Sequence, residues 1–148
     1  MLIFSFLLFI NIYLFCQNEA LKPEKTAAIT IGFLQGGGSL VGVDFEKMLN
    51  NHLSVQVGFG FVGFGAAINY HPQGSIRSSF VSLQYIHQGF DRGFAQNGIG
   101  HSFVYRANKF FSCQFGFARI LSIGRTWPSS AGRPAIIETY AIGIYLPL

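Results

Sequence analysis

VQVGFGFVGFGAAINY, residues 55–70, alternates bulky and bare side chains with almost no polar relief. Val55, Val57, Phe59 and Phe61 fall on one side of an extended chain, and Ser54, Gln56, Gly58 and Gly60 on the other, because successive strand side chains point to opposite faces. Past Gly63 the phase reverses: Phe64, Ala66, Ile68 and Tyr70 become the larger set, opposite Gly65, Ala67 and Asn69. A slip of phase within residues 62–65 predicts a tight hairpin between two strands. One long strand carrying a β-bulge is the competing reading. The stretch also spells G-x-G-x-x-G through Gly58, Gly60 and Gly63, but a dinucleotide loop needs a helix to open within it and an acid about 20 residues on. Alternation continues to Tyr70 and no acid stands near Ser78, so a nucleotide site is set aside.

The same period of two extends in both directions, broken about every ten residues by short turn-like segments. A first strand covers residues 26–35 and is followed by the turn GGGS at residues 36–39. The second, residues 40–48, sets Val41, Val43 and Phe45 against Gly42, Asp44 and Glu46, and ends at the break LNNH. The glycine stretch supplies strands three and four. After HPQGS, strand five, residues 77–87, sets Val81, Leu83 and Tyr85 against Ser82 and Gln84. A loop over residues 88–97 precedes strand six, residues 98–107, where Phe103 and Tyr105 oppose Ser102, Val104 and Arg106. Asn108 and Lys109 turn the chain into strand seven, with Phe111, Cys113, Phe115 and Phe117 opposite Ser112, Gln114, Gly116 and Ala118. The longest loop spans residues 122–134, and strand eight ends the chain with Tyr140, Ile142, Ile144, Leu146 and Leu148 against Thr139, Ala141, Gly143 and Tyr145.

Composition decides what this strand pattern serves. Charged residues make up 11% and hydrophobic residues 50% of the 148, with 17 Phe and 18 Gly, and a typical soluble domain carries roughly 25% charge. Residues 2–15 form an apolar run interrupted only by Ser5 and Asn11, too short for the ~20 residues of a spanning helix. That run reads as the core of a secretory signal peptide over residues 1–20, cleaved near residues 16–20, with lipidation of Cys16 as the alternative. Residues 21–148 then form one domain in which Cys113 has no disulfide partner. No apolar run of 18 residues follows residue 20, so this chain can span a membrane only as a barrel.

Eight strands of about ten residues suit a bilayer crossed at ~45° tilt, and an even number returns both termini to one side. The expected fold is all-β, an eight-stranded antiparallel up-and-down transmembrane β-barrel. Phe, Val, Ile and Leu then meet lipid, and the small and polar face fills a lumen with no open channel. By parity Asp44, Glu46 and Arg106 point inward toward the periplasmic end, where an ion-pair cluster is expected, with solvation beyond the hydrocarbon zone as its alternative. Gln56, Asn69, Gln84 and Gln114 share that lumen, and the glycines leave room for them. Tyr70, Tyr85, Tyr105, Tyr140 and Tyr145 fall near strand ends as candidates for aromatic girdles. Arg92, Arg125, Trp127 and Arg133 fall in the external loops, where arginines can meet lipopolysaccharide phosphates.

The chain therefore resembles the small eight-stranded outer-membrane barrels of Gram-negative bacteria, such as the transmembrane domain of outer-membrane protein A and the opacity-type proteins. The resemblance covers nearly the whole of residues 21–148 and rests on pattern. The ending TYAIGIYLPL looks like the alternating C-terminal signal read by the outer-membrane insertion machinery, although Leu148 stands where an aromatic is commoner. It implies a non-catalytic structural or surface-binding protein of the outer membrane, monomeric, with the lipid bilayer as its partner and no cofactor. Two alternatives stand beside it: a lipid A deacylase-like enzyme of the outer membrane, and a secreted lipocalin-like barrel for an apolar ligand.

Chemical motifs are sparse. His52, His71, His87 and His101 lack metal-ligand spacing, and His52 and His71 fall in turns. The barrel deacylases carry a His, Ser and acid triad on the outer wall with an H-x-S pattern; His87 is followed by Gln88 and Gly89, and Ser102 lies on the face opposite His101. No catalytic residue is assigned. Nor does a basic stripe interleaved with aromatics suggest nucleic acid, despite the net charge of +4.

Overall fold

The phase slip in the glycine stretch is a hairpin. In the computed structural model, which describes residues 25–89, 95–107, 109–124 and 135–148, strand β3 (Leu53–Gly60) pairs with β4 (Gly63–Tyr70), and Phe61 and Val62 form the turn. Leu53 stands opposite Tyr70 and Gly60 opposite Gly63, so bulky residues face bulky ones across the whole hairpin. The remaining strands are β1 (Ala27–Phe33), β2 (Val41–Met48), β5 (Phe80–Gln88), β6 (Gln96–Arg106), β7 (Phe111–Ile123) and β8 (Ile136–Pro147). All pair antiparallel in chain order, and β1 closes onto β8 to complete an eight-stranded barrel. A register irregularity does occur, between Asn97 and Gly98 on β6, away from the glycine stretch. Residues 1–24, with the expected signal peptide, and Arg92, Arg125, Trp127 and Arg133 lie outside the described residues.

Several boundaries differ from the sequence reading. Strands β5 and β6 pair as far as Gln88 opposite Gln96, which shortens the loop between them, and β7 runs on to Ile123. Arg77 belongs to the connection before β5, whose Ile76 is buried. The largest difference is at GGGS. Strand β1 stops at Phe33, and a tight left-handed turn, α1 (Gln35–Gly38), with positive φ at Gly36, Gly37 and Gly38, replaces the simple hairpin turn. Leu34, at φ 59, is the sole non-glycine residue with positive φ among the described residues, and it swings the chain from the wall into the barrel.

Faces follow the parity of each strand. Val57, Phe59, Leu83, Phe103, Phe115 and Ile142 stand exposed on the outer wall, Phe59 at 64% and Leu83 at 56%. Inside are Thr30, Asp44, Glu46, Ser54, Asn69, Ser82, Ser102, Arg106 and Ser112, all buried. No helix among the described residues is long and apolar enough to cross a membrane; the strands are the long elements.

Candidate functional site

Glu46 sits at the end of the lumen where Lys25 and Pro147 meet, and its carboxylate gathers donors from three elements. Arg106 Nη2 on β6 lies 2.6 Å from Oε2. Asn69 Nδ2 on β4 and His71 Nε2 just past it each lie 2.8 Å from Oε1, and Ser54 Oγ on β3 donates to the same oxygen. Arg106 also donates through Nη1 to the carbonyl of Ile76, and its guanidinium lies 4.8 Å from the ring centres of both Phe80 and Tyr145. A buried ion pair is tolerable only when its remaining donors and acceptors are met; Glu46 meets that condition through Ser54, Asn69 and His71 as well as Arg106, whereas Arg106 Nε is buried without a hydrogen-bond partner.

His71 is the residue that sequence reasoning missed. It lies, as expected, in the turn after β4, but its side chain is fully buried against Phe80, with ring centres 4.6 Å apart. The signal was present: His71 lies two residues past inward-facing Asn69, so the strand parity carries it into the lumen. Ser54, His71 and Glu46 do not form a relay. Ser54 Oγ lies 3.1 Å from His71 Nε2, the same nitrogen that meets Glu46, while Nδ1 faces Ser78 Oγ at 3.2 Å. A catalytic imidazole needs the acid and the hydroxyl on opposite nitrogens, which Ser54 does not offer; Ser78 does stand opposite Glu46, but its hydroxyl donates to Ser75 O at 2.6 Å. This cluster seals the terminal end.

Asp44 is placed inside but apart from that pair: its Oδ1 accepts from the backbone N–H of Gly36 at 3.1 Å, which anchors α1. The glycines gain a more specific role than leaving space for Gln56 and Asn69. Gly58 and Gly65 face Gly36 and Gly37 backbone to backbone; a Cβ on Gly58 would lie 3.0 Å from Gly36 Cα, and one on Gly65 3.1 Å from Gly37 Cα. Gly36 and Gly37 have φ of 65 and 80, where L side chains are strained. Bare residues on the wall and on the turn therefore let one backbone nest in another. Ser39 Oγ accepts from Val62 N at 3.3 Å, and Gln88 Nε2 donates to Gly38 O at 2.7 Å while the Gln96 amide donates to Gln88. The loop end is stoppered by the chain's own turn.

Between the two stoppers, Gln114 Nε2 donates to Gln84 Oε1 at 2.8 Å, and Asn69 Nδ2 to Gln56 Oε1 at 3.0 Å. Tyr145, proposed above for an aromatic girdle, is instead fully buried, and its hydroxyl donates to Ala107 O at 2.7 Å. Tyr70, Tyr105 and Tyr140 do stand exposed on the outer wall. Also outward, His87 stacks on Phe64 at 4.6 Å, and its Nδ1 meets Asn97 Oδ1. Asn97 Nδ2 donates to Ser122 Oγ at 2.7 Å, so the Asn97 amide stands between serine and imidazole. No group of three or more His, Cys, Asp or Glu suited to a metal occurs among the described residues.

These features define a class: a closed eight-stranded up-and-down barrel, apolar outside, with a polar lumen stoppered at both ends. Compared with known proteins, the chain matches no family model, no curated protein and no solved structure.

Proposed function

We propose that this chain is an integral outer-membrane β-barrel protein of a Gram-negative bacterium, exported through a cleaved signal peptide, with a structural or surface-binding role and neither catalysis nor an open pore. The inversion of its two faces carries the reading. Branched and aromatic side chains encircle the outside while carboxylates, guanidinium, amides and hydroxyls fill the inside. Leaving one Phe or Leu in water forgoes about 1.5–3 kcal/mol of burial, and an exposed apolar surface that runs around a whole barrel far exceeds what a soluble monomer carries. Lipid supplies the missing burial. A lipocalin-like role is disfavoured because the lumen offers Glu46, Arg106 and paired amides where an apolar ligand needs hydrocarbon.

The test is fractionation after expression. Recovery in carbonate-washed outer membrane, with faster gel migration before boiling than after, supports the reading, and a soluble periplasmic pool refutes it. Reconstituted protein in a planar bilayer is expected to give no steady conductance, because α1 and the Glu46 cluster fill both ends of the lumen.

A further inference from the structure

Among the described residues, the seam between β1 and β8 is the shortest in the barrel. Strand β8 pairs with β7 from Ile136 onward, but with β1 only from Ile142, opposite Phe33. Over residues 136–141 its β1-side edge has no strand partner among the described residues, because the chain leaves the wall at Leu34 and continues inward as α1. Behind this gap lies a cavity of ≈ 140 Å³, bounded by α1 on one side and by Ile137, Glu138, Thr139 and Tyr140 on the other. A relay of amides leads into it: Gln114 donates to Gln84, and Gln84 Nε2 to Thr139 Oγ1 at 3.5 Å. Asp44 lies at its inner side, Glu138 stands exposed on the outer wall beside it and accepts from the Tyr140 hydroxyl, and no Lys, Arg or His is in the described lining.

Size, charge and position together select a ligand. The cavity is too small for an acyl chain, and its inner lining carries the Asp44 carboxylate and the side-chain amides of Gln56, Gln84 and Gln114, which suits a compact cation bearing N–H donors. The opening lies beside Phe33, Tyr140 and Ile142 on the exposed apolar wall, so an attached alkyl chain can stay outside along that wall. We propose that the gap between β1 and β8 is a lateral entry for the ammonium group of an amphiphile held in the surrounding bilayer, its tail remaining on the outer wall. This rests on the membrane reading above.

The test uses isotopically labelled protein folded in neutral micelles, titrated separately with decylammonium, decanol and methylammonium and followed by amide resonances. Decylammonium is expected to shift the Gly36, Gly37 and Gly38 amides and the Gln84 and Gln114 side chains saturably, and decanol to shift outer-wall residues only. Asp44→Asn keeps an acceptor for the Gly36 N–H but loses the charge, and should weaken decylammonium at least tenfold. Ala67→Phe, which fills the cavity, should abolish the saturable response in protein whose circular dichroism and gel migration show it folded. Equal response to decylammonium and decanol, or unchanged binding in folded Ala67→Phe, would overturn the proposal. Methylammonium binding as tightly as decylammonium would overturn the bilayer-borne source. The membrane reading is judged apart: a barrel that stays folded and dispersed without detergent refutes that reading whatever binds, whereas a micelle-embedded barrel that ignores decylammonium refutes only the lateral entry.

Discussion

Replacing Arg106 with methionine removes the cation opposite Glu46 while keeping much of the stem that packs near Phe80 and Tyr145. Glu46 is 1% exposed, so water cannot take over from the lost guanidinium. Breaking one partner of a buried pair costs about 3–5 kcal/mol. Here Asn69, His71 and Ser54 still donate to the carboxylate, which argues for the lower end, about 3 kcal/mol, or more than a hundredfold in the unfolding equilibrium. Glu46→Leu should cost at least as much, since it removes the carboxylate opposite Arg106 and takes one acceptor from each of Asn69 and His71. The double variant Glu46→Leu with Arg106→Met removes both charges, so its loss should fall well short of the sum. Urea unfolding in micelles, followed by far-ultraviolet circular dichroism and by the heat-induced gel shift, measures all three. A loss below about 1 kcal/mol for Arg106→Met, or a cycle additive within about 0.5 kcal/mol, refutes the claim that the pair is coupled and buried.

Four further outcomes follow from the same geometry. Gly65→Val should unseat α1, because its Cβ would press on Gly37 Cα, with a stability loss of about 1–3 kcal/mol and faster hydrogen exchange at Gly36–Gly38. Gly37→Ala should lose at least about 1–2 kcal/mol in urea unfolding, from its φ of 80 and contact with Phe64 O. Tyr145→Phe leaves the Ala107 carbonyl without its donor and should cost about 0.5–1.5 kcal/mol, whereas Tyr140→Phe on the outer wall should cost less in the same assay. Leu83→Arg should reduce membrane insertion, with a penalty of about 2–4 kcal/mol near the bilayer midplane, as read by the unfolded fraction in a vesicle-folding gel; improved folding and solubility in water would instead favour a soluble barrel.

The strands were legible because alternation is a direct imprint of the pleat, and the reversal after Gly63 marks a change of strand without any long-range information. Parity also placed Glu46 and Arg106 on the inward face, though it could not choose partners. Asp44 shares that face with Glu46 but lies two residues nearer the loop end, and α1 reaches it from there. The inward turn of α1 was not legible, since GGGS after a strand is also what a plain hairpin looks like. What distinguishes it is a match between Gly36 and Gly37 and the distant Gly58 and Gly65, a pairing that appears only once the strands lie side by side. The burial of His71 and Tyr145 was legible in the same parity, which continues past the end of β4 and along β8 and carries both side chains into the lumen.

The nesting of α1 constrains the order in which this chain can assemble. The turn is tethered at both ends to wall strands, and its seat is built from β3 and β4, which follow closely in sequence. The closing seam instead joins the two ends of the domain, down to Lys25 Nζ on Pro147 O at 2.8 Å. Contacts between near neighbours in sequence form at lower entropic cost than closure over the full length. The first four strands can therefore wrap their own stopper as a unit while the wall is still open. Zipping of the last strand onto the first then locks in a turn that could not afterwards be threaded without reopening the seam.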